Sequence, residues 1–107
     1  MVFRSRGKTV TETDMLCIDV GAVLEQGGYR GAVNVGKPGF QAGYHLIVNR
    51  RTVDVCYLDE LEGGELIAAQ TAFAERVLPM LNDRFGANRV TPKMFMGVRQ
   101  GFRIALR

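Results

Sequence analysis

The chain has no tryptophan, one histidine, two cysteines and three prolines in 107 residues, and none of its apolar runs is long. Each shortage closes off a class of function. A helix that crosses a bilayer needs about 18 or more consecutive, mainly apolar residues; no stretch comes near that, so no membrane partner is expected. The opening MVFRSRGKTV has basic residues but neither an apolar stretch nor a small-residue cleavage site behind them, unlike a secretory leader. A cytoplasmic location is the expectation. Structural zinc takes four Cys, His or carboxylate ligands at short spacings, whereas Cys17 and Cys56 stand far apart and His45 is the lone imidazole. No metal and no cofactor is expected, and in a reducing compartment both thiols stay free. Acids are missing from two places. Residues 1–8 carry Arg4, Arg6 and Lys8, and residues 89–107 carry Arg89, Lys93, Arg99, Arg103 and Arg107, with no Asp or Glu in either. Residues 9–88 hold all eleven acids against six bases. Basic ends on an acidic body suit contact with a polyanion, and equally the association of one copy with another.

A hydrophobic share of 47% against 23% charged residues is the balance of a packed globular chain and excludes disorder as the main reading. The length suits one domain over residues 1–107, able to bury roughly two-thirds of the surface its unfolded chain exposes. The organising stretch is Gly43 to Leu58, GYHLIVNRRTVDVCYL, two alternating strands joined through Asn49-Arg50-Arg51-Thr52. A turn there pairs Val48 with Val53, Leu46 with Val55 and Tyr44 with Tyr57. Strict alternation along a strand then sends His45, Ile47, Asp54, Cys56 and Leu58 to the opposite face, with His45 across from Cys56.

Elsewhere, Lys8 to Val10 reads as a short strand and Thr11-Glu12-Thr13-Asp14 as a capped helix start. The helix continues with Leu16, Val20, Val23 and Leu24 on one side and closes at Gly27-Gly28. The phrase GKTVTETDM resembles the opening of the hotdog-fold hydratases, where a short strand runs into a Thr-capped helix. The Asp and His that follow in those enzymes have no counterpart in GAVLEQGGYRG, so no role is carried over. Tyr29 to Val35 alternates like a third strand, with Val35 set to meet Tyr44. GKPGFQAG, residues 36–43, lacks the G-x-x-x-x-G-K-[ST] order of a phosphate cradle and reads as a loop. In ELIAAQTAFAERVLPMLNDRFG, residues 65–86, apolar residues recur at three- and four-residue steps from Leu66 to Phe85, which predicts a long helix that Pro79 kinks or restarts. The end reads as a second hairpin with an Arg99-Gln100-Gly101 loop, pairing Val98 with Phe102, Met96 with Ile104 and Met94 with Leu106.

The pattern predicts an α+β fold: a mainly antiparallel sheet of about five strands, two hairpins plus one strand, packed against a long helix in the C-terminal half, with a shorter N-terminal helix. The second sheet face, with His45, Ile47, Cys56, Leu58 and Phe95, is too apolar for an ordinary wet surface. It predicts a non-catalytic module that self-associates as a dimer or higher, or binds a small molecule or protein there. A nucleic-acid contact through Arg99, Arg103 and Arg107 is the alternative. A catalytic reading would use His45 to take a proton from Cys56 while Asp54 orients the ring. Cys56 lies in a strand interior rather than at a strand end or helix start, so an inert packing thiol is the blander expectation.

Overall fold

The computed structural model describes residues 3–5 and 8–107, with residues 3–5 and 8–10 described by backbone alone, so the side chains of Arg4, Arg6 and Lys8 lie outside it. A short antiparallel pair, β1 (Phe3–Ser5) and β2 (Lys8–Val10), leads into α1 (Glu12–Gln26). Thr11 caps α1. Its hydroxyl accepts from the Asp14 amide at 3.1 Å while the Asp14 carboxylate accepts from the Thr11 amide at 3.0 Å, a reciprocal arrangement that satisfies two otherwise orphaned donors.

The main sheet contains β3 (Gly43–Val48), β4 (Thr52–Leu58), β5 (Val90–Phe95) and β6 (Arg99–Ala105) in the order β3-β4-β6-β5, antiparallel throughout. The first hairpin has the register the alternation predicts: Tyr44 faces Tyr57, His45 faces Cys56, Leu46 faces Val55 and Val48 faces Val53. Its turn is closed by the Asn49 amide donating to the Thr52 carbonyl at 2.8 Å.

α2 (Gly63–Phe85) runs as one helix through Pro79. Pro79 is exposed, with its ring on the solvent side, and the helix does not restart there. Phe73, Val77, Leu81 and Phe85 point inwards and join Leu16, Val20 and Leu24 of α1 with Val53, Val55, Val90, Phe102 and Ile104 of the sheet in one core. Burying each such side chain stabilises the fold by about 1.5–3 kcal/mol. Gly21 of α1 lies against Leu46 and Tyr44, which share the core side of β3, so both helices cover the same face of the sheet. Among the described residues no helix is long and apolar enough to cross a membrane.

Two further sequence expectations are corrected. The sheet has four strands rather than about five, because Tyr29 to Val35 makes only bridges. The chain leaves α1 beside the start of β3, where the Tyr44 hydroxyl donates to Glu25 at 2.6 Å. It therefore runs parallel to β3 for two hydrogen bonds, Ala32 N to Tyr44 O at 2.9 Å and Tyr44 N to Arg30 O at 3.0 Å. It then has to reverse to enter the strand. Asn34, Gly36 and Gly39, all at positive φ, make that reversal; Gly31 rather than Val35 bridges to Tyr44, and Val33 pairs with Gln41.

The second correction concerns the C-terminal hairpin, whose loop is Met96-Gly97-Val98, so that Pro92 rather than Val98 faces Phe102. Gly97 takes the left-handed turn position at φ 77. Gly101 is needed inside β6, where a Cβ would stand 2.1 Å from the Val55 carbonyl oxygen and 2.7 Å from the Phe95 ring. The change spans an even number of positions, so face assignments survive, but Met94, Met96 and Val98 become exposed instead of entering the core.

Candidate functional site

With both helices on one side, no helix among the described residues covers the other side of the sheet. The strand registers set out its residues in rows: Ile47, Asp54, Arg103 and Thr91; then His45, Cys56, Gly101 and Lys93; beyond the last β4–β6 pair, Gly43 faces Leu58 and Phe95 faces Arg99. The middle of this face is charged. Arg103 donates to both oxygens of Asp54, Nε to Oδ1 at 2.7 Å and a terminal nitrogen to Oδ2 at 3.0 Å, while Lys93 Nζ reaches Oδ2 at 3.4 Å. Asp54 is 3% exposed. Burial alone would raise its pKa, but the Arg103 guanidinium, with Asn49 and Lys93 behind it, outweighs that and holds the carboxyl below its usual range.

Lys93 also stands over the Phe95 ring, 5.4 Å from its centre, a cation–π distance. The ring in turn occupies the space that Gly101 leaves for want of a side chain. This arrangement explains why Cys56, the neighbour of Gly101 on β4, is only 2% exposed on a face that no helix covers. Burial pushes the Cys56 thiol up, with Arg99 opposing and Asp54 reinforcing the shift. The reactive thiolate is thereby disfavoured at neutral pH. Cys17, half-buried on α1, is likewise pushed up, mainly by burial. Both cysteines are free thiols.

Of the predicted site residues, the sheet brings His45, Ile47, Asp54, Cys56, Leu58, Phe95 and Arg103 to one face. It does not link His45 to Cys56 or Asp54: among the described residues no hydrogen bond joins these side chains, and His45 is exposed. Arg99 is turned to structural work, donating to the Tyr57 carbonyl at 3.0 Å, the Asp59 carbonyl at 3.0 Å and Asp59 Oδ1 at 3.3 Å. Arg107 is exposed at the chain's end. No group of three His, Cys, Asp or Glu side chains converges as a metal site among the described residues.

Two polar positions escape the sequence pattern. Gln70, fully buried, donates to the Tyr57 carbonyl at 3.0 Å and accepts from the Gln100 amide at 3.0 Å, bridging the ends of β4 and β6. Its signal was its place on the Leu66–Phe73–Val77 stripe, where a lone amide marks a buried hydrogen-bonding task. Asp59, just past the end of β4, is half-buried as a residue with its side chain 6% exposed, and its position after Leu58 gave no comparable signal. Comparison with protein-family models, curated proteins and solved structures finds no match to the chain.

Proposed function

We propose that this chain is a non-catalytic binding module that self-associates through the uncovered sheet face. The observation that carries the reading is the placement of both helices on one side, which leaves Ile47 (38% exposed) and His45 exposed, and Phe95 and Ala105 half-buried, on a face that no helix among the described residues covers. The cations of that face are already tied to a buried carboxylate. A partner surface therefore meets paired rather than free charge, which lowers the cost of taking the face out of water. Light scattering across a concentration series tests this: the wild-type mass rises to a dimer or higher, and Ile47→Glu, which plants an unpaired charge in the contact, returns it to the monomer. A wild-type chain that stays monomeric throughout removes the reading.

A second reading is favoured by one separate observation. Ten of the eleven acids lie on α1, on α2 or in the segment between β4 and α2, and Asp54 alone lies on the uncovered face, beneath Arg103 and Lys93. An anionic strand of nucleic acid laid across that face would meet cations and the Phe95 ring. Its affinity would fall steeply with salt, and Lys93→Ala would weaken it. Absence of a mobility shift with single-stranded DNA or RNA at low salt sets this alternative aside.

A further inference from the structure

The segment that carries the chain from β4 into α2 begins with a carboxylate whose two oxygens are treated differently. Asp59 Oδ1 accepts from the Leu61 amide at 3.2 Å and from Arg99 at 3.3 Å. Oδ2 is buried and has no hydrogen-bond partner, in a side chain only 6% exposed. A carboxylate oxygen removed from water and given no donor is among the more costly polar arrangements in a fold. Two clefts meet at this residue. One, of about 570 Å³, lies between Phe40, Leu58, Met96 and Arg99; the other, of about 440 Å³, lies between Phe40, Tyr57, Leu61 and Ala69. Asp59 and Glu60 line both.

We infer that this double cleft binds an amphipathic amine: a primary ammonium group, seated at Asp59 Oδ2 and Glu60, on an apolar body lying along Phe40 and its aliphatic neighbours. An anion would face two carboxylates here, and the nearest guanidinium is spent, since Arg99 is bonded to two backbone carbonyls and Oδ1. A guanidinium ligand would want both oxygens of one carboxylate in a fork, and one is taken. An ammonium is a point charge with three donors; it can serve the single free oxygen and reach the exposed Glu60 at the rim. Because Oδ2 is buried, the nitrogen reaches it only as side chains lining the clefts give way.

Titration of the intact, isotope-labelled protein with n-pentylammonium chloride, at ionic strength matched with sodium chloride and followed by amide chemical shifts, tests the site. The expected result is saturable shifts confined to Phe40, Asp59 to Leu61 and Arg99, with n-pentanol binding about tenfold more weakly or worse, because it loses the charge-assisted bond. Asp59→Asn should weaken pentylammonium binding about tenfold as well. If that variant fails to fold, the amine and alcohol comparison on the wild type decides. Scattered or absent shifts, equal binding of the alcohol, or undiminished binding by a folded Asp59→Asn overturns the inference. Binding that appears only in Lys37→Ala overturns it too, since the chain's own Lys37, which lines the larger cleft, would then be the occupant.

Discussion

Asp54 shows how a residue with an inviting sequence position acquires a different job. In the alternation it sits beside Cys56 opposite a histidine-bearing strand, which suggests the third member of a nucleophilic set. In the fold it is the buried counter-ion of Arg103 and Lys93. The pH consequence follows from its direction of shift. Because its folded pKa lies below the ordinary 3.8, the stabilisation is present above that value and is lost as pH falls through the lower folded pKa. Denaturant unfolding should show Asp54→Asn destabilised by roughly 1–3 kcal/mol at neutral pH, with the gap to wild type closing below about pH 4. A gap that persists in acid would mean the loss comes from packing. Tyr44 gives the opposite sign. Burial first, then its hydrogen bond to Glu25, pushes its phenol up to about 12. The fold therefore keeps this contribution below pH 10 and loses it as pH rises towards 12. Ultraviolet titration should find one of the three tyrosines ionising about two units late, and Tyr44→Phe should remove that late step.

Among the elements, the first hairpin, the capped α1 and the periodic α2 were legible because each is specified locally: alternation, a capping pair and a helical stripe need no knowledge of the rest of the chain. The second hairpin was not. Its sequence offers two glycines, Gly97 and Gly101, either of which can supply a left-handed turn residue. What decides between them is non-local: the approach of the Val55 carbonyl and the Phe95 ring to Gly101. The same limit explains Tyr29 to Val35, whose alternation is genuine but whose direction beside β3 is fixed by where α1 ends. On the second sheet face, the strand pattern brought His45, Ile47, Asp54, Cys56 and Leu58 to one side, as the register has them. It could not show that Phe95 would seal Cys56 or that Asp54 would be claimed by two cations. Gly101→Ala should therefore destabilise by about 1–3 kcal/mol through overpacking, seen as a lowered melting temperature. It should also raise the reactivity of Cys56 towards an alkylating probe as Phe95 is displaced. Gly97→Ala should cost about 1 kcal/mol from backbone strain alone and leave Cys56 protected.

For the molecule as a whole, the order of elements after β2 is a helix followed by a hairpin, and then a helix followed by a hairpin again, with the two hairpins meeting side by side along β4 and β6. Each hairpin closes over a short stretch of chain, so β4 against β6 is the one ladder of the main sheet whose partners are far apart in sequence. That ladder, with Val55 facing Phe102, is where the two helix-and-hairpin halves join. The covalent link across it, residues 59–62, transmits no ladder hydrogen bonds of its own. Chains 1–60 and 61–107, expressed together, should therefore reconstitute the fold and co-purify, whereas either alone, left with half a core and an open seam, should be recovered aggregated. Two fragments that remain soluble and separate would mean that the halves are complete without each other.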